Sequence, residues 1–157
     1  MDYASIIICH YSKIDDFGET SAGSNPVKRS ELIRITLESL FKNTDYPAEI
    51  ILVDNGGNPD DTDYFVEKVR EGKINTLIRF KENRHFAMAW NTGAKVATGR
   101  YLSFVCNDIE FGPKWLSTCV ALLEKYKDRK LIATPFISYD KKRNTFETTD
   151  DARLNNR

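Results

Sequence analysis

Neither sign of charge dominates this chain. Lysine plus arginine number 23 and aspartate plus glutamate 23, so the formal net charge is zero. Nucleic-acid binding needs a basic excess or a basic stripe, and the sequence has neither. No apolar run approaches the roughly 20 residues of a membrane-spanning helix. The opening Met-Asp-Tyr-Ala-Ser lacks the basic and apolar regions of a secretory signal. Cysteine is scarce. Cys9, Cys106 and Cys119 lie in apolar segments without metal-ligand spacing. They read as small buried hydrophobes of a reduced, cytoplasmic protein. No G-x-G-x-x-G follows a strand, which argues against a dinucleotide-binding domain. No repeat or low-complexity tract occurs.

What is present suits one domain with a single core: 157 residues, 41% of them apolar. Ala4 to Cys9 is a continuously apolar, β-branched run, the pattern of a strand covered on both faces. Ile14 to Arg29 has no periodicity and predicts a long loop. Ser30 to Lys42 predicts a helix, with Ile33, Leu37, Leu40 and Phe41 on one face. Glu49 to Val53 predicts a second strand. Asn58 to Asp61 caps a second helix running to about Glu71, with Phe65, Val66 and Val69 inward. Thr76 to Phe80 is a third strand. Asn83 to Thr98 reads as loop, then a small-sided helix. Arg100 to Cys106 is a fourth strand. Pro113 opens an amphipathic helix to Tyr126, since proline favours the first helical turn. Leu131 to Ile137 is a fifth strand. Residues 140–157 form a polar tail, expected to be loop or disordered. The resulting division is a domain over 1–139, with a 14–29 loop insertion, and the 140–157 tail. Strands alternating with helices predict βαβ units and a mostly parallel sheet.

In such a sheet the carboxyl ends of the strands share one edge, where ligands bind. Polar groups collect there after three strands: His10-Tyr11-Ser12, Asp54-Asn55 and Asn107-Asp108. Asp108 is a candidate oxygen ligand for a divalent cation set against phosphates. The alternative for these residues is ordinary turn and cap chemistry. A receiver-type domain would need an acidic pair after its first strand, where this chain has His10-Tyr11.

Four stretches carry a family resemblance: Ser5 to Lys13, Ile50 to Gly57, Asn83 through Asn91-Thr-Gly93 to Tyr101, and Asn107-Asp108 with Trp115-Leu116. In that order and spacing the chain resembles the nucleotide-binding half of a family 2 glycosyltransferase. The resemblance spans about Ala4 to Ile137. It implies a GT-A-like, three-layer α/β/α sandwich around a mostly parallel sheet. It also implies sugar transfer from a nucleotide-diphosphate sugar of UDP, GDP or dTDP type to a glycan, lipid or protein acceptor, with inversion. Cys9, His10 and Tyr11 would cup the base, with Tyr11 stacked on it or instead a half-buried core aromatic. Asp54 or Asn55 would hydrogen-bond the base, or form a turn pair. Asn83, Arg84 and His85 lie where a diphosphate contact is expected, although a glycine that often follows the Asn is absent. Asn91 would tie its helix to the sugar site, or be a buried structural amide. Asn107 stands at the first acidic position of a D-x-D-type motif, and Asp108 would bind Mn²⁺ or Mg²⁺. Glu110 reads as a solvated charge. Inverting members take a general base from a later carboxylate. Here Asp140, Glu147, Asp150 and Asp151 are the late acids, and Asp150 and Asp151 are the weak candidates. The expectation is therefore a chain with the donor half and little of the acceptor half. That leaves open a non-catalytic nucleotide-sugar module completed by a partner or by a second copy.

Overall fold

A computed structural model describes residues 2–12, 29–129, 132–140 and 145–155. Strand β1, Ala4–His10, is buried at every position. It pairs in parallel with β2, Ala48–Asp54, on one side. After β3, Thr76–Arg79, which extends the sheet beyond β2, the chain returns to β4, Tyr101–Val105. β4 pairs in parallel with the other side of β1. The order β3-β2-β1-β4 makes β1 central and reverses the winding direction at it.

Alternate residues feed two cores. Ile6, Ile8 and Leu52 meet Ile33, Leu37 and Leu40 of α1 (Arg29–Asn43), Phe65 of α2 (Pro59–Arg70) and Trp115 and Leu116 of α4 (Trp115–Lys125). On the opposite face Cys9 and Val53 meet Ala89 of α3 (Phe86–Val96). Gly93 permits that close layer, because a Cβ there would stand 2.4 Å from Ile7 Cγ2. The result is the expected α/β/α sandwich.

Several expectations need correction. β5, Ile109–Glu110, forms where no strand was read and Glu110 was taken as a solvated charge. The strand expected after α4 exists as β6, Ile132–Asp140, but belongs to a second sheet of order β5-β7-β6. The tail expected to be loop or disordered carries β7, Thr145–Asn155, antiparallel to β6 and parallel to β5. Polar composition says which faces stay wet, but strand pairing satisfies backbone N–H and C=O groups whatever the side chains. Thr145, Thr148 and Thr149 also favour extended backbone. Asp150 and Asp151 lie in an irregular part of β7, between the pairs Ile137↔Thr148 and Pro135↔Ala152. Pro113 does not open α4. Lys114 interposes a left-handed residue at φ 60°, and the helix starts at Trp115. Val69 faces outward, and Lys68 takes the inward position of that turn. The loop read over 14–29 lies outside the described residues except for Arg29, which begins α1.

Candidate functional site

The carboxyl ends of β1, β2 and β4 lie side by side, because His10 is in register with Asp54 and Ile8 with Val105. Just beyond them opens a cleft of about 510 Å³, within the range of small-molecule sites. Cys9 and Tyr11 line it from the end of β1. Asn55 lines it from the turn after β2, and Cys106 and Asn107 from the end of β4. Asn83, His85, Phe86 and Trp90 close it from the loop before α3 and from α3 itself.

The turn after β2 is built around Asp54. Its carboxylate is fully buried and accepts from Gly57 N–H at 2.9 Å and from the Thr62 hydroxyl at 2.8 Å. Arg79 Nε lies 3.3 Å from the same group. Gly56 runs under the next loop at φ 77°, and a Cβ there would meet Glu82 C at 2.5 Å. Asp54 is thus spent on the turn and is not among the cleft-lining residues. Asn55 is. Its N–H donates to His10 O at 2.8 Å and its Oδ1 accepts from Arg84 N–H at 2.8 Å. Its Nδ2 donates to Asn83 Oδ1 at 3.2 Å, and that oxygen also accepts from His85 N–H at 2.8 Å. Both acceptor oxygens are committed inward, and the Asn55 NH₂ also bonds the Cys9 thiol, so the exposed Asn83 NH₂ is what this pair offers a ligand.

Of the β1 end, Tyr11 is partly exposed at the cleft, whereas His10 is fully buried beneath it. His10 packs edge-on against Phe65, with ring centroids 5.1 Å apart. Its Nε2 lies 2.9 Å from Asp61 Oδ2 and its Nδ1 3.0 Å from Asn107 Nδ2. Burial pushes Asp61 upward, but hydrogen bonds from His10 and Ser12, with the nearby charge of Arg34, outweigh it. The carboxyl therefore titrates below the usual range. Burial, then the neighbouring Cys106, pushes the Cys9 thiol up to about 11. A thiol held neutral is a packing group rather than a nucleophile.

Asp108 follows Asn107 at the end of β4 and is partly buried. After burial, its charge is the second cause raising the Cys106 thiol, so the two groups are close. Among the described residues no three His, Cys, Asp or Glu side chains gather to hold a metal. A hard cation that keeps waters and substrate phosphates as ligands needs only one or two protein oxygens. Of Asn107 and Asp108, Asn107 lines the cleft and could supply its amide oxygen, whereas Asp108 is not among the lining residues and would reach such a cation only from beside it. Asn91 is exposed on α3 and does not line the cleft, so it is not a buried structural amide. Arg84 is exposed and pairs with Glu82 at 3.1 Å.

Two lining residues escaped the sequence reading, Phe86 and Trp90, and a third, Cys106, read as a small buried hydrophobe, is instead exposed at the end of β4. Phe86 and Trp90 are one helical turn apart and meet edge-on, with centroids 5.3 Å apart. Trp90 Nε1 donates to Val105 O at 3.3 Å, which fixes the ring against β4. Their i, i+4 spacing at the start of α3 was the available signal, masked by the alanines around them.

The model of the family described as Glycosyl transferase family 2 matches residues 26–156 of this sequence. The chain belongs to glycosyltransferase family 2. It is 29% identical over 118 residues to the uncharacterized glycosyltransferase YibD of Escherichia coli (strain K12), covering 75% of this chain and 29% of YibD. Its fold is similar to that of S. aureus TarS: TM-score 0.59 at 23% identity, over 81% of this chain and 20% of TarS. A TarS fragment in complex with UDP-GlcNAc aligns at TM-score 0.58 and 25% identity, over 81% of this chain and 32% of that fragment. A complex of the fragment with UDP gives TM-score 0.60 at 24% identity, over 81% and 33% of the two chains. The present chain thus spans about a third or less of these relatives. Its parallel sheet and helices are those of the family's GT-A fold. Among the described residues no helix is long and apolar enough to cross a membrane.

Proposed function

We propose that this chain binds a nucleoside-diphosphate sugar in the cleft and serves its transfer, with inversion, to an acceptor hydroxyl. One observation carries the reading. In a family 2 chain, a cleft built from the ends of β1, β2 and β4 collects Tyr11, Asn55, Asn83, His85 and Asn107 around one space. Tyr11, Phe86 and Trp90 offer flat surfaces for a base. The outward amide hydrogens of Asn83 suit carbonyl acceptors on its edge. A uracil-type base fits those donors, and the UDP and UDP-GlcNAc complexes of TarS support the same choice. Asp108 and Asn107 would hold Mn²⁺ or Mg²⁺. A cation bound there supplies positive charge where a departing diphosphate gathers negative charge. The chain's own part is to orient the diphosphate against the β4 end and to keep the base edge paired. The base that deprotonates the acceptor remains assigned only as a candidate, Asp150 or Asp151 on β7. Free thiols at Cys9, Cys106 and Cys119 support a reducing, cytoplasmic setting.

The test is calorimetric titration with UDP, GDP and dTDP, with and without Mn²⁺, on this chain and on Asp108→Ala. Saturable UDP binding that strengthens with Mn²⁺ and loses that gain in Asp108→Ala is the expected result. No binding of any nucleotide at millimolar concentration by the folded protein would overturn it. Binding without sugar release from UDP-sugars would instead favour the donor-binding module that needs a partner.

A further inference from the structure

A file of four side chains runs from the interior to the cleft. Ser12 Oγ donates to Asp61 Oδ2 at 2.5 Å, and His10 Nε2 lies 2.9 Å from that same oxygen. On the far side of the ring, His10 Nδ1 lies 3.0 Å from Asn107 Nδ2. His10 and Asp61 are 0% and 1% exposed, so water does not compete for these partners. Asn107 alone of the four lines the cleft.

The Asn107 nitrogen, which only donates, sets the direction of the file: His10 Nδ1, 3.0 Å from it, is the acceptor, so the ring carries one proton. An ionised carboxylate only accepts, so the proton facing Asp61 belongs to His10 Nε2. A neutral imidazole with Nε2–H carries a lone pair at Nδ1. Only a donor satisfies that lone pair, and the Asn107 NH₂ is the donor in reach. The amide is planar. Once its nitrogen is committed to the ring, its oxygen is turned away from it. We propose that His10, oriented by Asp61, is a positioning residue that holds the Asn107 amide with Oδ1 presented to the cleft. This inference rests on reading the cleft as the donor site. The ligand it serves is an oxygen-seeking divalent cation accompanying a diphosphate. Neither partner is legible as a pair in the sequence, since His10 and Asp61 are 51 positions apart.

Asp61→Ala tests the direction, because it removes the acceptor of the Nε2 proton. The buried ring then keeps its proton on Nδ1, where Asn107 accepts it by turning its oxygen inward and its NH₂ to the cleft. Two-bond ¹H–¹⁵N correlation spectra read the tautomer directly, and with only two histidines in the chain, His10 and His85, the patterns are easily told apart. The expected result is Nε2–H for His10 in the wild type and Nδ1–H in Asp61→Ala. The affinity for UDP with Mn²⁺ should fall by about 10- to 100-fold, the usual cost of losing a group that orients a ligating side chain. With Asn107→Asp already in place the same substitution should cost little, because a carboxylate has no NH₂ to turn to the cleft. A file that merely packs predicts the same loss in both backgrounds.

Three results would overturn the inference: Nδ1–H or a doubly protonated ring in the wild type, unchanged affinity in Asp61→Ala, or an equal loss from Asp61→Ala in the wild-type and Asn107→Asp backgrounds. If the wild type binds no nucleotide, the donor-site reading falls, and the two tautomer patterns alone decide the file. If Asp61→Ala does not fold, the wild-type tautomer decides it.

Discussion

His85 is held at φ 63° and ψ 153°, a region open to glycine and costly for a side chain. It lines the cleft in that conformation, so the strain falls at the candidate site itself. His85→Gly should therefore raise the stability by about 1 kcal/mol, seen as a higher thermal midpoint, while weakening UDP binding in titration. Asp61 makes the opposite kind of contribution. Its carboxyl titrates below the usual range in the folded protein, so the unfolded chain takes up its proton first on acidification. The stabilisation is full above the ordinary aspartate value of about 4 and is lost as the pH falls through the lower folded value. Urea midpoints measured from pH 7 to pH 3 should decline for the wild type. For Asp61→Asn they should start lower and decline less, so that the two curves converge at acid pH.

Helix α3 sits on the sheet because Gly93 has no side chain to hold it off. Gly93→Ala raises helix propensity yet drives a methyl into Ile7, and overpacking of this kind costs about 1–3 kcal/mol. A lowered urea midpoint with unchanged slope is the expected reading. The buried elements were those legible beforehand. β1, β2 and β4 announce themselves by runs such as Ile6-Ile-Ile8 and Ile50-Ile-Leu-Val53, because a strand covered on both faces has no polar alternation to confuse. β7 was not legible, since its pairing depends on backbone groups that no side chain reports. Val69 was read as inward by periodicity. Instead Lys68 is only 8% exposed, its ammonium 3.0 Å from Glu71 and its charge over the Tyr64 ring. A long cationic side chain can cover apolar surface while keeping its head paired. At the site, strand ends marked where Tyr11, Asn55 and Asn107 would gather. The division between ligand-facing and turn-holding groups was hidden, because Asp54 is claimed by Thr62 and Gly57 only once α2 is in place.

Over the whole molecule, apolar surface is unevenly spread. Leu102 and Phe104 are each 48% exposed along β4, and Phe86 and Met88 are exposed on the neighbouring α3. Among the described residues β4 ends the four-stranded sheet, and an apolar edge strand invites association. Leu102→Lys should leave the unfolding free energy within about 0.5 kcal/mol of wild type, the usual range for exposed positions. It should also lower concentration-dependent light scattering. The placing of β1 has a consequence in time as well as space. His10 and Asn107, which meet beneath the cleft, are 97 positions apart. During synthesis β1 emerges before both its neighbours, and with one flank paired by β2 the other stays bare until β4 arrives. Loop closure over such a span is slow, and an isoleucine-rich strand that waits is a target for chaperones. The cleft is thus among the last parts of this sheet to come into being, because it is complete only once β4 has joined β1.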